Sequence, residues 1–426
     1  MSDHFKSKVS SLNKIMYEIM TEKQNNISPI LPTYARMDAK FVKGEGCKLY
    51  DTDDQQYLDF GSGIAVNCLG HCHPALVKAL TDQAGKLWHT SNIFHIDGQT
   101  VLAEKLCDRT FADSMFFTNS GAEAVECAIK MARRYHDAND HPEKFRVISF
   151  EGSFHGRTLA TIAAGGSEKL TKGFGPKMDG FNVIRFYRDM NKVEDHITGE
   201  TAAILIEPIQ GEGGIRPISA ENLEILREIA DKHDILLIFD EIQCGVGRTG
   251  KLFAHEHSNI TPDIMPIAKG IGGGFPLGAC LATENVAQHM TLGTHGSTYG
   301  GNPLAMAMGN AVLDTIENEN ILENVQKMSD KLRIGIMKLR QKYPDVIEMV
   351  RGLGLMMGIK IHAEPGDFVR AAFKNKLLLV GAGENTVRIL PPLNIMAEDI
   401  DHAIELLDKT CQDILKNNKS LDNKSL

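Results

Sequence analysis

A short apolar run, Ile235–Phe239, is bounded by an aspartate on each side, Asp234 and Asp240. A run of this kind is typical of a strand buried on both faces of a parallel sheet. Asp240 stands at its carboxyl end, where open α/β folds bind their ligands. A second strand-like run, Asp263–Ala268, ends in the same way at Lys269. The two runs therefore predict a parallel sheet with an acid and an amine at one edge.

Further apolar runs alternate with helical segments on both sides of this stretch, at 114–117, 146–150, 202–208 and 277–282. The alternation predicts one large, mostly parallel, doubly wound sheet, and we place it in a domain at about 75–310. Residues 1–74 contain an amphipathic helix, a linker and a small meander, and we expect them to join an α+β domain formed by residues 311–415. Residues 416–426 are polar and are predicted to be a disordered tail.

The composition argues against several classes of function. The chain has 426 residues, 42% hydrophobic and 24% charged, as in an ordinary soluble globular protein. A net charge of −9 disfavours a nucleic-acid partner. The sequence shows neither an apolar run as long as a membrane span nor a secretory signal, and eight irregularly spaced cysteines are typical of reduced thiols. We therefore expect a cytoplasmic protein without nucleic-acid or membrane partners.

The chemistry of an acid paired with a buried lysine is specific. A buried amine with a lowered pKa can bind an aldehyde, and a carboxylate can keep a ring nitrogen protonated. Pyridoxal phosphate requires this pair. Taken alone, Asp240 and Lys269 are better explained as a solvent-facing acid and an ordinary surface lysine, so the rest of the chain has to decide.

Two other loops carry groups suited to a ligand of this kind. Ser120, Gly121 and Ala122 stand where a strand passes into a helix, which favours phosphate binding at the helix N-terminus. An ordinary serine helix cap would look the same. In the next loop, Phe154 could stack on a planar ring and Arg157 could bind a carboxylate.

Two further patterns resemble a metal site and a nucleotide-binding loop, but each lacks a required part. The cluster Cys68, His71, Cys72 and His73 has no second cluster to complete a zinc site, so we expect no metal. The segment Gly245–Leu252, GVGRTGKL, resembles a phosphate-binding loop but lacks the hydroxyl that magnesium requires, and no helical pattern follows it.

Taken together, the motifs resemble the class III, fold-type-I pyridoxal-phosphate aminotransferases from about residue 30 to 415. The motifs that carry the resemblance are LDFGSGIAVNCLGHCHP, FFTNSGAEAVECAIKMARRYH, SFHGRT, EPIQGEGG, IFDEIQCGVGRTG, AKGIGGGFPLGA, THGSTYGGNP and VRILPPL. They occur in one order and at spacings similar to those of the family.

The resemblance implies a role for each residue of the cofactor site. Lys269 would bind the aldehyde of pyridoxal phosphate and then act as general base and acid. Asp240 would bind the ring nitrogen, Gln243 would contact the phenolic oxygen, and Phe154 would stack on the ring. The phosphate would lie on the backbone N–H groups at 121–122, assisted by the Ser120 hydroxyl.

The resemblance also implies the substrate contacts and a homodimer. Arg157 and Arg388 would bind substrate carboxylates. Glu212 would pair with Arg388 when the amino donor is bound and release it for 2-oxoglutarate. Thr298 would reach the phosphate held by the neighbouring subunit, so that the active sites are shared. We expect Glu207 to be a structural acid of the pocket.

The activity implied is transfer of the terminal amino group of N2-acetylornithine to 2-oxoglutarate, as in arginine biosynthesis. The GIAVN and THGSTYGGNP passages favour this branch of the family. Enzymes for succinyl-diaminopimelate, succinylornithine, ornithine or 4-aminobutyrate share most of the motifs and remain alternatives. A glutamate-1-semialdehyde-type aminomutase shares the fold and the lysine, but Arg157, Glu212 and Arg388 favour a two-substrate transferase.

Overall fold

The computed structural model describes residues 28–422, which divide into two units. Residues 28–40 form bends, in which the N–H of Thr33 donates to the carbonyl of Leu31 and that of Ala39 to the carbonyl of Met37. The amphipathic helix predicted near the start of the chain lies outside the described residues. The second unit, from residue 41 onward, contains the helices and strands given below.

The strands form four sheets. They are β1 (Phe41–Glu45), β2 (Lys48–Asp51), β3 (Gln56–Asp59), β4 (Ser114–Thr118), β5 (Arg146–Phe150), β6 (Phe181–Ile184), β7 (Thr201–Ile206), β8 (Ile209–Gln210), β9 (Arg216–Pro217), β10 (Leu236–Phe239), β11 (Ile264–Ile267), β12 (Gly278–Ala282), β13 (Ile347–Leu353), β14 (Met356–Ile361), β15 (Leu377–Leu378), β16 (Val380–Ala382) and β17 (Thr386–Ile389).

The longer helices separate these strands along the chain. They are α1 (Pro74–Ala84), α2 (Asp97–Cys107), α3 (Gly121–Ala138), α4 (Leu159–Gly165), α5 (Ala220–Lys232), α6 (Pro303–Asn318), α7 (Ile321–Lys342), α8 (Pro365–Lys374) and α9 (Ala397–Asp422). Helical turns of four residues lie at Ser62–Ala65, Glu168–Thr171 and Glu284–Ala287, and 3₁₀ turns at Met190–His196, Ala254–His257 and Lys269–Gly272.

The largest sheet has seven strands in the order β4-β12-β11-β10-β7-β5-β6. The strands from β11 to β6 pair in parallel, whereas β12 runs antiparallel to both of its neighbours. The link from β11 to β12 holds only the short turn Lys269–Gly272 instead of a crossover helix, and antiparallel strands alone can be joined in this way. The predicted fold class, with a mostly parallel sheet, is confirmed.

Both faces of this sheet are covered. Successive residues of β7 point to opposite faces: Ala203 and Leu205 pack in one core with α3, and Ile204 and Ile206 in another with α5. Each fully buried large aliphatic side chain stabilises the fold by about 1.5–3 kcal/mol. Burial on both faces explains why β7 and β10 are continuous apolar runs without polar alternation.

The remaining sheets bring the beginning and the end of this unit together. The meander β1-β2-β3 is extended by β15, where Leu377 lies opposite Leu58 in a parallel pairing. β13, β14, β17 and β16 form an antiparallel sheet. The domain boundaries at 74, 310 and 415 stay predictions.

The end of the chain requires one correction. α9 continues to Asp422, beyond the start of the disordered tail predicted at residue 416. Residues 416–422 contain neither glycine nor proline, so no residue there is a strong helix terminator. Within residues 28–422, no helix has both the length and the hydrophobicity needed to cross a bilayer.

Candidate active site

A cavity of about 420 Å³ lies at the carboxyl edge of the large sheet, a size typical of small-molecule sites. It collects residues from the ends of β4, β5, β7, β10 and β11, because the carboxyl ends of parallel strands meet at one edge. The predicted residues that line it are Ser120, Gly121, Ala122, Phe154, Arg157, Asp240, Gln243 and Lys269.

Asp240 lies immediately after β10 and is almost completely buried. Its Oδ1 accepts from the N–H of Ile242 at 3.1 Å, and its Oδ2 accepts from Nδ1 of His155 at 2.8 Å. Burial by itself would lower the pKa of His155, but the hydrogen bond and charge of Asp240 and the charge of Glu207 raise it overall. The raised pKa favours the imidazolium form of His155, whose hydrogen bond fixes the orientation of the Asp240 carboxyl group in the cavity wall.

His155 was not predicted as a site residue. It lies between Phe154 and Arg157 in the SFHGRT motif, and 85 positions separate it from Asp240. Its Nε2 is buried and has no hydrogen-bond partner among the described residues. Sequence spacing gives no sign of this pairing, because it depends on how β5 and β10 are placed across the sheet.

Lys269 also lines the cavity, in the turn that follows β11. Its backbone has a φ of 50°, the left-handed conformation that is unfavourable for residues other than glycine. Burial lowers the pKa of its amine, against the opposing charge of Asp240, and Arg388 lowers it further. A larger fraction of the amine is therefore neutral and nucleophilic than in an exposed lysine.

The N-terminus of α3 forms the anion-binding part of the cavity wall. Ser120 is the N-cap, and its hydroxyl accepts from the N–H of Glu123 at 3.3 Å. The N–H groups of Gly121 and Ala122 lie in the first helical turn, where no helical carbonyl is available to them. Together with the helix dipole they provide a seat for a phosphate group.

Glu207 lies after β7 and is 4% exposed. Its Oε1 accepts from the N–H of Phe154 at 3.0 Å, and its Oε2 from the N–H of Gly211 at 3.1 Å. Burial raises the pKa of Glu207 to about 7, and the charge of Asp240 adds to this effect. The carboxylate thus ties together two loops at the cavity edge.

Two arginines lie near the site in different settings. Arg157 is exposed, and its guanidinium carbon lies 5.6 Å from the centre of the Phe154 ring. Arg388, on β17, has a buried side chain whose Nη1 lies 2.7 Å from Oε1 of Glu212 and 3.2 Å from Oε1 of Gln243. Glu212 and Arg388 therefore meet beside the cavity and contact its lining through Gln243, without lining it themselves.

Thr298 is not brought into the cavity of this chain. It lies exposed in the loop before α6, next to the exposed Tyr299. The resemblance predicts that it contacts a neighbouring subunit, which its exposed position allows.

The residues of the cavity fit pyridoxal phosphate by their chemistry. Lys269 supplies an amine of lowered pKa for the aldehyde, and Asp240 supplies a carboxylate for the ring nitrogen. The free N–H groups of α3 suit the phosphate, and Phe154 gives the cavity an aromatic wall for a planar ring.

The cysteine–histidine cluster makes other contacts. Cys68 donates to the carbonyl of Gly270, His71 contacts Asp59 at 2.8 Å, and His73 lies 3.4 Å from Glu319. Among residues 28–422 no three His, Cys, Asp or Glu side chains are arranged to hold a metal ion. The segment GVGRTGKL forms turns and leads into the 3₁₀ turn Ala254–His257.

Comparison with known proteins finds relatives over most of the chain. The family model described as "Aminotransferase class-III" matches residues 32–411. The chain is 57% identical over 372 residues to the acetylornithine aminotransferase of Agrobacterium fabrum, covering 87% of this chain and 93% of that protein.

Two solved structures resemble the chain over most of their length. The N-acetylornithine aminotransferase of Stenotrophomonas maltophilia has a TM-score of 0.79 and 37% identity, covering 90% of this chain and 98% of that one. An ornithine aminotransferase of Toxoplasma gondii, described with PLP at its active site, has a TM-score of 0.88 and 30% identity, covering 92% and 94%.

Proposed function

We propose that the chain transfers the terminal amino group of N2-acetylornithine to 2-oxoglutarate. The premise is that the chain belongs to the class-III aminotransferases and is therefore a pyridoxal-phosphate-dependent enzyme. The products are N-acetylglutamate 5-semialdehyde and glutamate, a step of arginine biosynthesis. The observation that carries the choice of substrate is the 57% identity to a relative with this named activity. The motifs GIAVN and THGSTYGGNP support the same choice.

In this proposal the chain's own groups bind the cofactor and move one proton. When bound, pyridoxal phosphate supplies an aldehyde for the amine and a ring that accepts electrons. Lys269 would hold the aldehyde and, once released from it, would accept a proton from the carbon that bears the amino group in the donor half-reaction and return one in the reverse half-reaction. Asp240 would bind the protonated ring nitrogen, with His155 fixing the orientation of its carboxyl group. Gln243 would contact the phenolic oxygen, and Phe154 would cover the ring.

The same proposal assigns the substrate contacts. Arg157 binds a carboxylate at the cavity mouth. Glu212 pairs with Arg388 while the donor is bound and swings away when 2-oxoglutarate brings a second carboxylate. The 2.7 Å ion pair supports this exchange, because an arginine as buried as Arg388 is costly to leave without a partner.

We also infer a homodimer that shares its active sites, with Thr298 of one subunit at the phosphate bound by the other. The exposed apolar residues around that loop support this assembly. The donor and 2-oxoglutarate are then the expected partners besides a second copy of the chain. The cysteine composition supports a cytoplasmic location.

The visible spectrum of the purified protein tests the function. The absorption band of the bound cofactor should bleach with N2-acetylornithine and return with 2-oxoglutarate. A stronger response to ornithine, which the resemblance to the Toxoplasma gondii enzyme makes the second candidate, would move the substrate while keeping the reaction. No band after addition of pyridoxal phosphate would contradict the proposal as a whole.

A further inference from the structure

Glu207 connects two segments that belong to different parts of the site. Its two oxygens are each committed to one backbone donor, Phe154 on the ring side and Gly211 on the substrate side. Because both donors are main-chain N–H groups of separate loops, the carboxylate fixes backbone positions instead of a single side chain.

Gly211 lies directly beside both side-chain partners of Arg388. It precedes Glu212, whose carboxylate meets the guanidinium at 2.7 Å. A Cβ on Gly211 would overlap the side chain of Gln243, which accepts from the same arginine at 3.2 Å. A displacement of Gly211 therefore changes how both Glu212 and Gln243 meet Arg388.

The backbone of Glu212 is fixed by hydrogen bonds, whereas its side chain is partly exposed and contacts only Arg388 among the charged groups of the described residues. Its carbonyl accepts from the N–H of Gly383 at 2.8 Å, and Glu207 holds the preceding residue. Its side chain is 36% exposed, whereas that of Arg388 is 2% exposed. A partly exposed carboxylate thus extends from a fixed backbone to a buried arginine.

We propose that Glu207 is a positioning residue that holds Glu212 in place for its ion pair with Arg388. It thereby controls how the enzyme discriminates between its amino donor and 2-oxoglutarate. This inference rests on the proposed function, in which that ion pair is closed with the donor and open with the acceptor. Loss of the anchor leaves Arg388 poorly paired only in the donor complex, so the two half-reactions respond unequally.

The variant Glu207→Gln tests the inference with little change of shape. Its amide has one oxygen, so its NH₂ group faces one of the two N–H donors and a buried hydrogen bond is lost. The rate constant for bleaching by the donor, divided by its concentration, should fall about tenfold, as expected for one such bond. The reverse half-reaction with 2-oxoglutarate should change less than about twofold.

A double-mutant comparison separates positioning from general damage. In a Glu212→Ala background, Glu207→Gln should have almost no further effect on the ratio of the two half-reactions, because the acid it positions is gone. If Glu207→Gln does not yield folded holoenzyme, Glu207→Asp, which keeps the charge but shortens the reach, carries the same expectation. Equal losses in both half-reactions, or an unchanged effect in the Glu212→Ala background, would overturn the role.

Glu241→Gln is the matched control. Glu241 is also fully buried and also accepts from a backbone N–H, that of His255 at 2.8 Å, in the 3₁₀ turn Ala254–His257. This variant should leave the ratio unchanged even if the protein is less stable. Failure of N2-acetylornithine with the wild type would refute the substrate instead, and the ratio would then be measured with the amine that the wild type accepts best.

Discussion

At the scale of single residues, the cavity holds groups whose pKa values are shifted in directions that suit their place. Burial lowers the pKa of the Lys269 amine, and the hydrogen bond and charge of Asp240 raise the pKa of His155. The lowered pKa of Lys269 increases the neutral fraction of the amine that binds an aldehyde, and the raised pKa of His155 favours the imidazolium that donates to Asp240.

Replacement of Lys269 by alanine should lower turnover by at least about 10³-fold, because the proton transfer loses its base. The variant should fold, since the side chain lines an open cavity. Turnover is measured beside the far-UV circular dichroism and the visible band. Lys251→Ala, at an exposed position, is the control, and substantial activity in Lys269→Ala would refute the assignment.

Glu207 should give the folded protein a specific pH dependence. Its pKa is about 7 in the folded state against an ordinary value of 4.5, so the folded state keeps a proton that the unfolded chain has lost. Stability from this group is therefore present below pH 4.5 and is lost as pH rises to about 7, by at most about 1.4 kcal/mol per pH unit.

Denaturant unfolding between pH 5 and 7.5 measures this slope. Glu207→Gln cannot titrate, so its free energy of unfolding should fall less steeply over that interval than that of the wild type. Identical slopes for both proteins would contradict the raised pKa. Glu241→Gln removes a buried acid elsewhere in the structure and therefore controls for a general loss of stability.

At the scale of elements, the sequence predicted what local patterns determine. The apolar runs of β7 and β10 and the N-cap of α3 are local, and they were placed correctly. The direction of β12 and the two-residue strand β15 depend on pairing with distant strands, such as Leu377 with Leu58, and no local pattern carries that information. The His155–Asp240 contact was missed for the same reason.

The loop after β5 is held against the start of α3 by a glycine. Gly156 has a φ of 138°, and a Cβ there would lie 2.8 Å from the Cβ of Ala122 and 2.8 Å from Oγ1 of Thr161. Gly156→Ala should therefore push Phe154 and Arg157 away from the phosphate seat. We expect a loss of about 1–3 kcal/mol in stability and a weaker affinity for pyridoxal phosphate.

Cofactor titration, followed by the visible band, measures this affinity. Gly199→Ala is the control, because a Cβ at Gly199 meets no atom within 4 Å and its φ is ordinary. A variant Gly156→Ala that binds the cofactor as tightly as the wild type would show that the loop tolerates the displacement.

At the scale of the whole molecule, one surface combines Thr298 with exposed apolar side chains. Trp88, Ile93 and Tyr299 are each more than half exposed. Asn92 joins their two segments by donating to the carbonyl of Gly300 at 3.0 Å. Apolar side chains gathered on one surface are typical of a protein interface, and this one carries the threonine assigned to a neighbour's active site.

Mixing two inactive variants tests whether the active sites are shared. Lys269→Ala lacks the lysine but keeps Thr298, and Thr298→Ala should bind the cofactor poorly. In a mixed dimer, one site combines an intact Lys269 with the partner subunit's Thr298. Random mixing should then restore about a quarter of the wild-type sites at limiting cofactor, since half the dimers are mixed and each has one complete site.

Activity after co-expression gives the result, with mixed dimers counted by native mass spectrometry. If Thr298 served its own subunit, the mixed dimer would have no complete site and activity would stay at the level of the separate variants. Each variant co-expressed with a differently tagged copy of itself is the control. Recovery in the mixture alone requires that one subunit contributes Thr298 to the active site that contains Lys269 of the other. Neither variant chain carries both residues.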